Sequence, residues 1–123
     1  MNNTAVLAAA ASTTNLSVSV ADDGNQLNGT SPGPLSIDSA SLSVDDLVLI
    51  KDQSDDTQNG LYRVTSLGSS FSAFVLNRDT DISLQAGLII VVVNGSSNAS
   101  TMWVNQNELV ESGVTSVNFI GSI

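Results

Sequence analysis

Two apolar runs that return on each other constrain this chain more than any other feature. From Val44 to Thr65 it reads Val-Asp-Asp-Leu-Val-Leu-Ile-Lys-Asp-Gln-Ser-Asp-Asp-Thr-Gln-Asn-Gly-Leu-Tyr-Arg-Val-Thr. Val, Ile, Leu and Tyr suit a pleated, half-buried surface, and Asn-Gly supplies the positive φ that a tight return needs. The segment predicts a hairpin, with a strand over 47–52, an acidic polar loop over 53–58 and a second strand over 61–66.

The same period of two recurs along the chain. Leu16, Val18 and Val20 alternate with Ser17 and Ser19, which marks a half-buried strand. Residues 22–33 carry Asp-Gly-Asn, Asn-Gly and Ser-Pro-Gly-Pro in close succession, so a long exposed loop is expected there. Leu35 and Ile37 begin a further short strand. Another covers 71–77, with Phe74 and Leu76 on one face and Ala73 and Val75 on the other. Leu88 to Val93 is apolar at every position, which predicts a central strand covered on both sides or by a partner, stopping at Asn94-Gly95. Strands over 101–105 and 115–120 complete the set. The fold class expected is all-β, a single small antiparallel β-sandwich or barrel of about seven to nine strands. The alanine-rich start, without partners for a helical stripe, is open to a short helix, an extended arm or a disordered lead. It is read as an N-terminal arm over 1–14, either loosely held or docked on a neighbour, ahead of a β domain over 15–123.

Charge and missing residue types exclude several functions. Three basic residues (Lys51, Arg63, Arg78) stand against twelve acidic ones, a net charge of -9 that repels phosphate backbones and anionic lipid, so no nucleic-acid or membrane partner is expected. There is no cysteine, hence no disulfide and no thiolate chemistry. The absence of histidine removes the usual general base, the metal imidazole and the Ser or Cys triad together. Carboxylate chemistry remains, with Asp45/Asp46, Asp55/Asp56, Asp79/Asp81 and Glu108/Glu111 as the pairs that glycoside hydrolysis would require. None of these pairs stands out, and adjacent carboxylates such as Asp55-Asp56 sit in a loop where Asp serves turns, so no catalytic residue is assigned. The oxygen-rich stretch 52–60 lacks the spacing and closing Glu of a calcium loop, and no metal or cofactor is expected. Asp79-Thr80-Asp81 is read with Arg78 as its ion-pair partner. Trp103 and Tyr62 could stack on a ligand, but both are expected to pack in the core. The start lacks the basic and long apolar parts of a secretory signal, and the longest apolar run is too short to span a bilayer, so a soluble chain is expected.

Several segments combine into one ordered pattern: Thr14-Asn15-Leu16, Leu35-Ser36-Ile37-Asp38, Asp46 through Gln53, Asn59-Gly60-Leu61-Tyr62-Arg63-Val64, Leu76-Asn77-Arg78-Asp79-Thr80-Asp81, Gly87 through Gly95, Asn98 and Trp103. In order and spacing this resembles a module of bacteriophage tail fibres and related virion surface proteins. That pattern tends to place glycine where this chain has Ser39 and Asp45. The resemblance implies a structural role in a virion, assembled in the host cytoplasm, and supplies no catalytic residue.

With a start at Met1 and no fibre shaft, the expectation is a capsid decoration (cement) protein on the outer surface of a phage head. It would bridge neighbouring major capsid protein subunits as a homotrimer, with Val6, Leu7, Leu88, Ile90 and Val92 at the interface. The alternative is a tail-fibre or tail-tip receptor-binding module that meets host glycan through loop residues Asn28, Gly29, Asp55 and Asp56.

Overall fold

The computed structural model describes residues 6–21, 24–79, 89–97, 99–105 and 119–121. These fold into β1 (Val6–Ala8), β2 (Ala10–Ala11), β3 (Val18–Ala21), β4 (Gln26–Gly29), β5 (Leu47–Ile50), β6 (Gly60–Ser66), β7 (Val75–Arg78), β8 (Ile89–Val92), β9 (Met102–Asn105) and β10 (Phe119–Gly121), with a 3-10 turn at Asp56–Gln58. They form two sheets, one ordered β1-β8-β9-β10 and the other β2-β5-β6-β7-β4-β3. The architecture is the expected all-β class, resolved as a sandwich rather than a closed barrel.

The predicted hairpin forms the middle of the larger sheet. β5 and β6 pair antiparallel from Leu47↔Arg63 to Ile50↔Gly60, so the first strand ends two residues earlier than the sequence suggests. Every residue of β5 is buried, because the strand is covered on both faces. Leu47, Leu49 and Leu61 point into a core shared with Ile90 and Val92 of the smaller sheet. Val48, Ile50, Tyr62 and Val64 point the other way, onto Leu27, Ile37 and Leu76, where Leu35, Ala40 and Leu42 also pack. Full burial of a side chain of this kind stabilises the fold by roughly 1.5–3 kcal/mol, so these two layers dominate its energetics.

The double coverage expected of residues 88–93 therefore belongs to β5. In β8, Ile90 and Val92 are buried, Ile89 and Val91 are half-buried, and Val93 just beyond is exposed. Leu88 lies outside the described residues.

The segment expected to be an arm is woven into both sheets. β1 pairs parallel with β8 (Val6↔Ile90, Ala8↔Val92) and β2 pairs parallel with β5 (Ala10↔Val48, Ala11↔Leu49). These are the parallel pairings in an otherwise antiparallel framework. In a regular strand residues 8 and 10 would share a face. Here Ala8 faces one core and Ala10 the other, so the chain rotates at Ala9, whose N–H donates to Leu47 O at 2.7 Å, and passes from one sheet to the other. Strands that switch sheets through a bend make the corners of such sandwiches. Ala8, Ala10 and Ala11 are wholly buried, and their small side chains let two sheets approach the same backbone.

Two further differences have local causes. The expected loop over 22–33 contains β4, which pairs with β3 and with β7 and buries Leu27 beside Leu76. The expected strand at Leu35 and Ile37 is irregular instead. Pro34 lacks an N–H, and Asp38 and Ser39 have φ of 48° and 60°, so the chain bends while Ile37 still enters the core.

Candidate functional site

The hairpin loop is the most organised polar feature of the molecule. Gln53, almost wholly buried, makes a two-way bond to the backbone of Leu16: its Nε2 donates to Leu16 O (3.0 Å) and its Oε1 accepts from Leu16 N–H (2.7 Å). Its Nε2 also donates to Gln58 Oε1 (2.9 Å), and its backbone N–H donates to Asn59 Oδ1 (3.0 Å). Ser54 N–H donates to Asn15 Oδ1 at 2.8 Å, so residues nearly forty positions apart fix the loop from outside.

From within, the loop rests on Arg78 and Tyr62. Arg78 Nε donates to Gly24 O (3.2 Å), Nη1 to Asn59 O (2.9 Å) and Nη2 to Thr57 O (3.0 Å). Its guanidinium carbon lies 4.8 Å from the centre of the Tyr62 ring, and the Tyr62 hydroxyl donates to Gln58 O at 2.6 Å. Burial lowers the Arg78 pKa, an effect opposed by Tyr62, and burial raises the Tyr62 hydroxyl to about 12. Among the described residues no buried side-chain polar atom lacks a partner. The ion pair expected between Arg78 and the 79–81 stretch is replaced: Asp79 takes Arg63, Nε to Oδ2 at 2.8 Å, while Arg78 turns inward to carbonyls. Asp81 lies outside the described residues.

Against this frame sits an open groove of about 390 Å³, lined by Asn15, Leu16, Ser17, Val18, Thr30, Ser54, Asp55 and Gln58. A smaller hollow of about 160 Å³ adjoins it through Asp55 and Gln58 and reaches Arg78. Asp55 is held by Thr57, whose hydroxyl and N–H donate to Oδ1 at 2.6 and 3.0 Å, and these bonds keep its carboxyl below the ordinary aspartate range. The groove thus presents hydroxyls, amides and one ionised carboxylate. That set can bind a hydrated, uncharged polyol by hydrogen bonds, and Asp55 is the carboxylate that lines it.

Of the four loop residues nominated from sequence, Asp55 lines the groove. Asp56 begins the 3-10 turn. Asn28 lies in β4 with Nδ2 donating to Gln26 Oε1 (3.1 Å), and Gly29 lies beneath the Phe74 ring. Of the nominated interface residues, Ile90 and Val92 are consumed by the core, Val6 packs against it, and Leu7 stands 65% exposed. The lining residues Asn15 and Thr30 escape a sequence reading, because only the fold brings them beside Ser54 and Asp55.

Outward from the smaller sheet the alternation leaves Leu7, Ile89, Val91, Val93, Met102 and Val104 on one face, with Leu7, Val91 and Met102 in a single cross-strand row. None of these positions carries a charge. Lys51, by contrast, is held inside, with Nζ 2.7 Å from Asp52 Oδ2 and 4.1 Å from the centre of the Trp103 ring.

No family model, no curated protein and no solved structure matches this chain.

Proposed function

We propose that this chain is a structural module of a bacteriophage virion surface that works by contact rather than by chemistry, decorating the head as a homotrimer that bridges major capsid protein subunits. The observation that carries the reading concerns the two places where the chain departs from the tail-fibre-like pattern it resembles. Ser39 and Asp45 stand where that pattern has glycine, and their φ values are 60° and 76°, in the left-handed region that favours glycine. A backbone that favours glycine at both positions is what a pattern with glycine there would call for. Five further pattern residues, Lys51, Gln53, Asn59, Tyr62 and Arg78, lie in the hairpin or bind its loop.

Bridging needs an outward apolar surface, and the uncharged outer face of the smaller sheet around Leu7, Val91 and Met102 supplies one in place of the buried Ile90 and Val92. An exposed, contiguous apolar face on a chain carrying net charge -9 suits contact with a neighbour. Many copies acting together need only modest individual contacts.

A second reading, a tail-tip receptor-binding module, is favoured by the hydroxyl- and amide-lined groove at Asn15, Thr30 and Asp55, which suits host glycan. Quantitative mass spectrometry of purified particles, with labelling to locate the chain, separates the two. Many copies spread over the head support decoration, a few at the tail tip support the second reading, and no particle-bound copies would overturn both.

A further inference from the structure

The sequence contains Asn-Gly at three places, Asn28-Gly29, Asn59-Gly60 and Asn94-Gly95. In this dipeptide the glycine nitrogen, with no side chain to hinder it, can attack the preceding side-chain amide carbon. The reaction requires a glycine N–H that is not committed to another bond and a backbone able to rotate. The three sites differ sharply in the first respect; in the second, even Asn94 is partly held, its own N–H donating to Ala9 O at 3.1 Å.

At the first, Gly29 N–H donates to Phe74 O at 3.0 Å, Asn28 Nδ2 donates to Gln26 Oε1, and the pair lies within β4. At the second, Asn59 is buried, its Oδ1 accepts from Gln53 N–H, its carbonyl accepts from Arg78, and Gly60 pairs with Ile50. At the third, Asn94 is exposed, just past the end of β8. Neither its side-chain amide nor the Gly95 N–H makes a hydrogen bond among the described residues. Gly95 has φ of 126°, and a Cβ there would collide with the Asp38 carboxylate, so glycine is required at the one position where its nitrogen is free to react.

We propose that Asn94 is a site of spontaneous deamidation that the fold singles out from three equivalent dipeptides. The Gly95 nitrogen loses its proton to hydroxide and bonds to Asn94 Cγ. The Cγ–Nδ2 bond breaks, and ammonia leaves with a proton from water. One water molecule then opens the five-membered succinimide at either carbonyl, giving aspartate or isoaspartate at position 94. No redox partner is involved. The net charge falls by one, from -9 to -10. The isoaspartate product also lengthens the main chain between Val93, whose N–H donates to Ala8 O, and Ser96, whose N–H donates to Asp38 O. It therefore acts on the turn that fastens β8 to the N-terminal strand and to the 38–39 bend.

The test incubates the folded chain at alkaline pH in heavy-oxygen water and maps label uptake by peptide mass spectrometry, with a parallel sample in urea. A site that reacts only after local opening is slowed by the opening equilibrium, so Asn94 should convert about tenfold or more faster than Asn28 and Asn59 in the folded chain, and within about threefold of them in urea. The Asn94→Gln variant should lose the first acidic species to appear on ion exchange. Asn28 or Asn59 keeping pace with Asn94 in the folded chain would overturn the proposal. So would an Asn94 preference of equal size in urea, or an unchanged acidic species in Asn94→Gln.

Discussion

Arg78 and Tyr62 hold one short stretch of backbone between them. The Tyr62 hydroxyl donates to Gln58 O, Arg78 donates to the carbonyls of Thr57 and Asn59 on either side, and the guanidinium lies over the ring. An acidic loop that could pass for a flexible ligand site is thereby fixed from below.

Replacing Arg78 by Met keeps most of the stem but leaves the carbonyls of Gly24, Thr57 and Asn59 without this donor. Stranding several buried acceptors together should cost about 2–4 kcal/mol, read as a lower urea midpoint at unchanged slope. Arg78→Lys should recover only part of the loss, because one ammonium cannot reproduce the planar fork. A cost near zero would show that water satisfies the three carbonyls.

Tyr62 is the only tyrosine, so phenolate absorbance reports it alone. Its hydroxyl titrates near 12 in the folded chain because burial disfavours the charged form, against about 10 in the unfolded chain. The folded state therefore holds the proton more tightly, and this contribution to stability is intact below pH 10 and is lost as pH rises from about 10 to 12. Stability should decline across that window, and Tyr62→Phe should remove the Tyr62 part of the decline while costing about 1 kcal/mol at neutral pH for the lost bond to Gln58 O.

What the sequence shows and what it hides follow a physical line. The hairpin is legible because β5 and β6 are rich in residues that favour strands and close on Asn-Gly. β4 is not, because Leu27 stands alone among polar neighbours and is defined by β3 and β7 beside it. The segment over 6–12 is not, because alanine carries little pattern of its own and is selected here by the closeness of two sheets. At the site, Asp55 is legible as an acidic loop residue. Asn15, Thr30 and the carbonyl-bound role of Arg78 arise only from contacts far apart in sequence.

Ser39 and Asp45 hold left-handed backbone with L side chains, and neither side chain makes a hydrogen bond among the described residues. Ser39→Gly and Asp45→Gly should each stabilise the fold by about 0.5–1 kcal/mol, since relief of left-handed strain exceeds the entropy that glycine adds to the unfolded chain. Destabilisation by either change, measured by urea unfolding, would contradict the backbone assignment at that position.

Gly68 should respond in the opposite direction. It has φ of 78°, and a Cβ there would meet Gly33 O, Phe74 N and Ser72 O, all backbone atoms that cannot swing aside. Gly68→Ala should cost about 2 kcal/mol or more in thermal or urea unfolding.

The N-terminal segment belongs to both sheets, through β1 beside β8 and β2 beside β5. Native-state hydrogen exchange tests this most directly. The amides of Ala9 and Ser12, which donate to Leu47 O and Leu49 O, should exchange as slowly as Val64, which donates to Asp46 O, and only through global unfolding. Rapid exchange at Ala9 and Ser12 while Val64 remains protected would contradict it and return residues 6–12 to the role of a detachable arm.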